Sequence, residues 1–223
     1  MIHKSKYIKT LSEVKELIAH CKTTGYASID YETNAREPRD PEFRPTILSV
    51  SFQPGSAWVI PLAHKDSIFK RKWRQVFKLF ASEVLQDRTI IKIAWNAKFE
   101  QKVSMALGYR IMGRLFDPML LKYLLDETPP NDLKSQVDFL LPEFGGYDLE
   151  NQPGKKASRE AKIAFWENVP LKELSQYGAL DADLAFRLFL HYDKRVMELG
   201  LYHYSRNFYG PLTHILSETE LEG

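Results

Sequence analysis

The sequence predicts an α/β domain with a mixed central sheet, and two patterns along the chain support that prediction. Three segments rich in β-branched and aromatic residues follow one another near the amino end, which is typical of an antiparallel meander. Beyond residue 68, segments with helical spacing alternate with a short strand. Antiparallel strands followed by such alternation indicate a mixed sheet with helices on its faces. The chain has 223 residues, 44% of them hydrophobic, so it can bury the core of one domain.

The first half of the chain contains every strand that the sequence predicts. Alternation with a period of two and turn residues mark the strands, whereas apolar residues spaced by three or four mark the helices. The predicted elements are, in order, a helix near Leu11–Cys21, strands over Gly25–Thr33, Thr46–Gln53 and Ala57–Pro61, a helix over Phe69–Leu85, a short strand over Thr89–Ala94 and a helix beginning near Ala97. The short strand therefore runs almost directly into that last helix.

The second half is predicted to be helical. Asp117 followed by Pro118 is typical of an N-cap with proline at the first helical position, so a helix is expected over Met119–Asp126. Asp117 is therefore interpreted as a cap rather than a ligand. The remaining predicted elements are a short helix near Leu133–Leu141, an exposed loop over 151–158 and a long helix over Pro170–His191.

Composition and charge narrow the class of protein. The net charge is only +2, so no global basic field indicates a simple nucleic-acid-binding domain. The single cysteine, Cys21, lies on a predicted amphipathic helix, which excludes an intramolecular disulfide and indicates a core position in a reducing compartment. No segment reaches the roughly eighteen apolar residues of a membrane span, and the amino end lacks the apolar core of a signal peptide. We therefore expect a cytoplasmic protein without a membrane segment.

Four carboxylates in three separated motifs are the strongest functional signal in the chain. Asp30 and Glu32 alternate along a predicted strand, so both side chains point to the same face of the sheet. Glu100 follows in the first turn of a predicted helix. Asp181 lies four residues after Tyr177 on another predicted helix, so these two side chains share one helical face.

Such a set of acids predicts a site for divalent metal ions. Two unit charges about 4 Å apart at an effective dielectric near 20 repel by roughly 4 kcal/mol, so gathered carboxylates must protonate or bind cations. The six histidines lack the spacing of zinc sites, and carboxylate oxygens suit Mg²⁺ or Mn²⁺. Two such ions can clamp the attacking and leaving oxygens of a phosphoryl displacement. The predicted metal ligands are Asp30, Glu32, Glu100 and Asp181.

The third motif also offers a tyrosine and a second aspartate. Asp181 is preferred to Asp183 as the ligand because two residues separate side chains by about 200° around a helix. Tyr177 has an ordinary pKa near 10, so it is a poor general base but can orient the attacking water. The alternative is that Tyr177 is a half-buried aromatic of an amphipathic helix.

Together these motifs resemble the three Exo motifs of the DEDDy 3′-5′ proofreading exonucleases, especially the domain attached to bacterial or phage family A DNA polymerases of the polymerase I type. The resemblance covers nearly the whole chain and implies a ribonuclease H-like, DnaQ-like fold. It implies hydrolysis of single-stranded DNA from its 3′ end to nucleoside 5′-monophosphates with two metal ions. It further implies that Asp30 bridges both metals, that Glu32 and Asp181 complete the first metal site, that Glu100 serves the second, and that Asn96 holds the 3′-terminal nucleotide.

Further substrate contacts are assigned from their place in the motifs. Thr33 and Phe99 belong to the first and second motifs and are assigned to substrate binding. Lys155 and Lys156 lie in the predicted loop before the third motif and are the preferred phosphate contacts. Basic residues are also interleaved with aromatics between positions 65 and 78, but those aromatics recur every four residues and are better interpreted as core.

Glu100 departs from the family's usual second motif, and the carboxyl-terminal segment leaves the context of the domain open. The family's second motif usually ends in aspartate, and the extra methylene of Glu100 displaces the carboxylate by about 1.5 Å. Residues 1–205 are predicted to form the exonuclease domain, and 206–223 resemble the start of the helix that leads to a polymerase domain. A fragment of a polymerase, a split polymerase and a stand-alone subunit all fit this arrangement. We expect a monomer whose partners are a DNA 3′ end and a DNA polymerase domain or subunit.

The competing functions differ in chemistry. A catalytically weak or inactive scaffold domain of a polymerase would retain the fold, although such a domain is expected to lose acids that this chain keeps. An RNA exonuclease of the ribonuclease D type shares the tyrosine-bearing third motif. A single-strand DNA-binding module ranks last, because clustered carboxylates weaken binding to a phosphate backbone.

Overall fold

The computed structural model describes residues 4–35, 37–150, 152 and 157–223. Its centre is one six-stranded sheet in the order β1-β4-β3-β2-β5-β6. The strands are β1 (Lys4–Tyr7), β2 (Tyr26–Thr33), β3 (Pro45–Gln53), β4 (Ser56–Pro61), β5 (Ile91–Ile93) and β6 (Leu115–Phe116). Strands β2, β3 and β4 are antiparallel, whereas β1, β5 and β6 add parallel pairs. The predicted mixed α/β sheet is confirmed.

Nine α-helices surround this sheet in the described part of the chain. They are α1 (Leu11–Thr24), α2 (Trp73–Phe80), α3 (Ala97–Ala106), α4 (Pro118–Leu125), α5 (Leu133–Leu140), α6 (Arg159–Asn168), α7 (Leu171–Glu198), α8 (Tyr202–Tyr204) and α9 (Gly210–Glu222). A π-helical segment, Ala81–Leu85, continues α2, and another, Ser205–Tyr209, joins α8 to α9.

Several predicted boundaries differ from the structure. The helix expected from Phe69 begins at Trp73, because the preceding residues form hydrogen-bonded turns. Strands β1 and β6 were not predicted, since they have only four and two residues and depend on pairing with distant strands. Helix α6 was also missed, and α7 continues to Glu198 rather than ending at His191. Many buried residues of α7 contact elements distant in sequence, so tertiary packing decides its length.

The two faces of the sheet carry separate cores because neighbouring strand residues point to opposite sides. On one face, Ile29, Leu48 and Val50 join α1 and α2 in the largest apolar cluster. That cluster includes Cys21 and the aromatics of positions 69, 73 and 77, so their predicted core role is confirmed. On the other face, Ile47 packs with residues of α7. Among the residues described, no helix combines the length and apolar composition needed to cross a membrane.

Helix α7 approaches β3 closely where it carries a glycine. A Cβ atom at Gly178 would lie 2.7 Å from Ser49 Oγ, 3.1 Å from Ile47 Cδ1 and 3.5 Å from Asp30 Oδ2. A Cβ atom with a contact below 3.0 Å would force a neighbouring group to shift, so glycine allows this approach without rearrangement. The helix is thereby held against the face of β2 and β3 that carries Asp30.

A buried lysine on β5 should make the free energy of unfolding change with pH in the alkaline range. Lys92 is fully buried, and its Nζ donates to the carbonyl of Asp87 at 2.6 Å. Burial lowers the pKa of Lys92 to about 8, despite the opposing charge of Asp87. In the unfolded chain the lysine pKa is near 10.4, so between about pH 8 and 10.4 the unfolded chain binds more protons than the folded protein. The free energy of unfolding should therefore rise with pH over that range.

We expect Lys92→Met to remove this rise. Relative to the variant, the wild type should gain about 1–2 kcal/mol of stability between pH 7.5 and 9.5. Urea unfolding of both proteins across that range measures the difference, and other alkaline titrations cancel in the comparison. Parallel pH profiles for the two proteins would contradict the prediction.

Candidate active site

Three carboxylates from two elements meet on the α7 face of the sheet. Asp30 and Glu32 alternate along β2 and point to the same side, and Asp181 projects from α7. One oxygen from each lies within 4.8 Å of the other two, which is suitable spacing for a shared cation. Glu32 and Asp181 are buried and Asp30 is partly buried. The structure thus brings together three of the four predicted acids.

The electrostatics of this cluster favour a bound cation. Burial, reinforced by the charge of Asp181, raises the pKa of Asp30 well above its usual range. Burial and the charges of the neighbouring acids do the same to the pKa of Glu32. Burial raises the pKa of Asp181 to about 6, although hydrogen bonds and a nearby lysine oppose this shift. Close burial of like charges is relieved most directly by a divalent cation.

One orphaned atom supports the same conclusion. Asp30 Oδ2 is buried and accepts no hydrogen bond from any described residue. Buried carboxylate oxygens are normally satisfied, so an unpartnered one on a residue that clusters with two other carboxylates fits a bound cation. The donor set contains only carboxylate oxygen, the ligand type preferred by Mg²⁺ and Mn²⁺. Asp30, Glu32 and Asp181 therefore fit a divalent metal.

Glu100 lies beside this cluster rather than within it. Helix α3 buries its side chain, and Glu100 Oε2 accepts a hydrogen bond of 3.2 Å from the backbone N–H of Tyr31. Tyr31 separates Asp30 from Glu32 on β2, so Glu100 reaches the same stretch of strand. Burial and then the charge of Asp30 raise the pKa of Glu100 well above its usual range. Its role as a metal ligand stays a prediction.

Two tyrosines reach the carboxylate of Asp181. Tyr177, one turn earlier on α7, lies close enough to Asp181 to affect the pKa of its carboxyl, as the helical spacing predicts. The hydroxyl of Tyr147 also donates to Asp181 Oδ1. The two rings lie 6.2 Å apart between centroids. Tyr147 was not predicted, because it follows two glycines in an irregular segment where no periodicity marks an aromatic as functional.

Lys134 is the second functional candidate that sequence reasoning missed. Its Nζ lies 4.4 Å from the ring centroid of Tyr177 and 4.7 Å from that of Tyr147, and it pairs with Asp148 at 2.8 Å. The charge of Lys134 opposes the rise in pKa of all three clustered acids. On an eight-residue helix, one lysine carries no sequence signal that separates it from a solvated charge.

The remaining predicted residues have different surroundings. Asn96 is exposed and has a left-handed backbone, with φ of 58° and ψ of 49°. Thr33 is buried and donates to the carbonyl of Ala35 at 2.7 Å, whereas Phe99 is partly buried against the main core. Asp183 is buried away from the cluster and accepts from the N–H of Gly55 at 2.6 Å, as the helical argument predicts. The substrate contacts of Asn96, Thr33 and Phe99 stay predictions.

Lys155 and Lys156, the preferred phosphate contacts, lie outside the described residues, as does most of the predicted 151–158 loop. Their assignment as phosphate contacts therefore stays a prediction.

Comparisons with known sequences agree with this geometry. A protein-family model described as 3′-5′ exonuclease matches residues 5–196. DNA polymerase I of Borreliella burgdorferi is 27% identical over 220 residues, which cover 99% of this chain and 23% of the relative. DNA polymerase I of Rhizobium leguminosarum is 24% identical, with 97% of this chain and 22% of the relative covered. The chain thus spans about a quarter of the length of these curated relatives.

Solved structures show the same fold at low sequence identity. Brucella melitensis NrnC with bound Mg²⁺ has a TM-score of 0.67 and 19% identity, and the match covers 100% of this chain and 95% of that one. The catalytic core of RRP6 from Trypanosoma brucei has a TM-score of 0.67 and 15% identity, with 96% of this chain and 52% of that one covered. The likeness covers nearly the whole chain, and the predicted ribonuclease H-like fold class is confirmed.

Proposed function

The chain belongs to the 3′-5′ exonuclease family of DNA polymerase I, and from that premise we propose that it hydrolyses single-stranded DNA from the 3′ end, releasing nucleoside 5′-monophosphates. The observation that carries this proposal is the convergence of Asp30, Glu32 and Asp181 within 4.8 Å on one face of the sheet. An acidic cluster of this kind repels the phosphate backbone unless it holds cations, so it suits hydrolysis better than binding alone.

The proposed cofactors are two divalent ions, Mg²⁺ or Mn²⁺. Asp30, Glu32 and Asp181 would hold the first, and Glu100 beside Asp30 would contribute to the second. When bound, the ions would neutralise the acids and stabilise negative charge that develops on the phosphate.

The protein's own side chains supply orientation. Tyr177 lies beside Asp181, a proposed ligand of the first metal, and its hydroxyl would orient the attacking water. Burial and neighbouring negative charges raise the pKa of Tyr177 far above its ordinary value, so it acts as a hydrogen-bond partner and not as a base. Asn96, exposed at the start of α3, would contact the 3′-terminal nucleotide.

Proofreading for a DNA polymerase is the proposed biological role. The relatives named DNA polymerase I are four to five times longer than the matched segment, so a polymerase domain or subunit is the proposed partner.

RNA is a second candidate substrate, and a specific observation favours it. The match to Brucella melitensis NrnC extends over 95% of that chain, and one structure of it is bound to pGG. The fold also occurs in Trypanosoma brucei RNase D, at a TM-score of 0.59 over 83% of this chain. Distinguishing RNA from DNA requires a contact to the 2′-hydroxyl, which fold similarity does not determine.

Digestion of 5′-labelled single strands tests both candidates. With Mg²⁺ or Mn²⁺, the wild type should shorten a DNA 20-mer into a ladder from its 3′ end, and EDTA should abolish the ladder. Asp181→Ala should reduce the rate by at least about a hundredfold, because it removes a metal ligand. Asp193→Ala, on the same helix but away from the cluster, is the matched control and should retain the activity.

The matching RNA 20-mer and short oligonucleotides run in parallel reactions. Faster digestion of RNA would move the assignment to the second candidate. No ladder on any substrate in either metal would contradict hydrolysis and favour an inactive scaffold domain.

A further inference from the structure

Asp117 occupies a junction next to the second acidic motif. It directly follows β6. The neighbouring strand β5 ends at Ile93, shortly before Asn96. The N–H of Ala94 donates to the carbonyl of Phe116 at 3.0 Å, which continues the parallel pairing and brings the ends of both strands together. Asp117 therefore lies where two chain segments leave the sheet side by side.

The carboxylate of Asp117 binds backbone groups of both segments. Its Oδ1 accepts from the N–H of Asn96 at 3.0 Å and from that of Met119 at 3.0 Å, and its Oδ2 accepts from the N–H of Ala97 at 2.8 Å. The bond to Met119 is the N-cap of α4 that the sequence predicts. The other two bonds hold the start of α3, which has no side-chain cap of its own.

The residue held in this way has an unfavourable backbone conformation. Among the described residues, Asn96 is the one non-glycine residue with a positive φ. The left-handed conformation is unfavourable for most residues and somewhat less so for asparagine. Two hydrogen bonds, donated by consecutive N–H groups to the buried carboxylate, offset this cost, because both groups would otherwise be unpaired at a helix start. Asn96 is exposed at this position.

We propose that Asp117 is a positioning residue for DNA: it holds Asn96 in its left-handed conformation and thereby aims the Asn96 side chain at the 3′-terminal nucleotide. This inference rests on the proposed function. Glu100, one turn further along α3, has its own anchor in the N–H of Tyr31, but the charge of Asp117 also raises the pKa of Glu100. An effect of Asp117 through Glu100 would persist when Asn96 is replaced, whereas an effect through Asn96 would not.

A double-mutant cycle separates this role from a purely structural one. Asp117→Asn keeps the shape of the side chain but leaves one acceptor oxygen for three N–H groups. The variant should have a kcat/KM for the DNA 20-mer about tenfold lower than wild type, mainly because KM rises. Asn96→Gly removes the side chain and relaxes the backbone, since glycine adopts positive φ freely. If Asp117 acts through Asn96, adding Asp117→Asn to Asn96→Gly should cost less than about threefold more.

Asp126→Asn is the matched control. Asp126 also accepts a backbone N–H, that of Thr128 at 2.9 Å, but lies at the far end of α4. This variant should leave kcat and KM unchanged. A full tenfold loss for Asp117→Asn in the Asn96→Gly background, or no loss in the wild-type background, would overturn the inference.

Hydrogen exchange gives a readout that needs no activity. Asp117→Asn should accelerate exchange of the amides of residues 96 and 97 by at least about tenfold, and leave the amides of β3 unchanged. Uniform acceleration across the protein would show loss of global stability instead and would overturn the local role. If wild-type protein digests no substrate, the proposed function fails, whereas active wild type with an additive cycle rejects only the role of Asp117.

Discussion

An Asp30→Asn variant should lose at least about a thousandfold of its nuclease activity and yet melt at a higher temperature than wild type in metal-free buffer at pH 8. Activity falls because Asp30 is predicted to bridge both metals. Stability rises because burial and the charge of Asp181 raise the pKa of Asp30, so folding at pH 8 must either bury a charge or take up a proton. The neutral amide avoids both costs.

The expected rise in melting temperature is about 2–6 °C, equivalent to roughly 1–2 kcal/mol in a chain of this size. Asp30 Oδ2 accepts no hydrogen bond from the described residues, so the substitution sacrifices no bond at that atom. Thermal unfolding with EDTA and with Mg²⁺ measures the effect. Mg²⁺ should stabilise the wild type through binding and should have much less effect on the variant.

Asp126→Asn serves as the control, because Asp126 is exposed and distant from the cluster. It should change neither activity nor the response to Mg²⁺. An Asp30→Asn protein that keeps more than a tenth of wild-type activity, or that melts at a lower temperature than wild type without metal, would contradict this prediction. Asp30 would then not be a metal ligand destabilised by burial and by the charge of Asp181.

Gly178→Ala should reduce activity by about a hundredfold without touching any predicted ligand. The added methyl group would lie 2.7 Å from Ser49 Oγ and 3.1 Å from Ile47 Cδ1, so either these side chains or α7 must shift. Because both side chains are fully buried, we expect α7 to move away from β3. Tyr177 precedes this position and Asp181 follows it by three residues, so both side chains move with the helix. Displacements of about 1 Å can cost two orders of magnitude in rate, and overpacking costs about 1–3 kcal/mol of stability.

Ser49→Ala provides a rescue for this variant. Ser49 Oγ is buried and has no hydrogen-bond partner among the described residues, so the single substitution should be neutral or stabilising. In the double variant, the closest remaining contact is Ile47 Cδ1, the mobile end of a side chain. Steady-state rates and melting temperatures of the four proteins should show recovery of most of the lost activity. A double variant as impaired as Gly178→Ala would exclude the steric explanation.

Local patterns were sufficient for much of the site. Alternation along a strand placed Asp30 and Glu32 on one face, and the four-residue helical spacing placed Tyr177 beside Asp181. The same helical argument excluded Asp183, which the structure places against Gly55. These predictions succeeded because the period of a helix or strand fixes the relative direction of neighbouring side chains.

Other features depend on chain segments that are far apart in sequence. Tyr147 and Lys134 reach Asp181 and Tyr177 from an irregular segment and a short helix, where no period signals a role. Strand β6 has two residues and exists through its pairing with β5. The position of Glu100 beside the three-carboxylate cluster follows from its bond to the N–H of Tyr31, 69 residues away.

The sequence by itself determined the α/β class, the antiparallel meander and the family, because each depends on local spacing and residue type, and it named four candidate acids whose metal-binding roles stay predictions. Tertiary structure alone decided which acids share a cation-sized space, which tyrosine and lysine join them, and how Asp117 supports the left-handed backbone of Asn96. The physical reason is that these features depend on distances of a few ångströms between distant segments. Such distances are set by packing of whole elements, including the close approach of α7 at Gly178, and no local pattern encodes them.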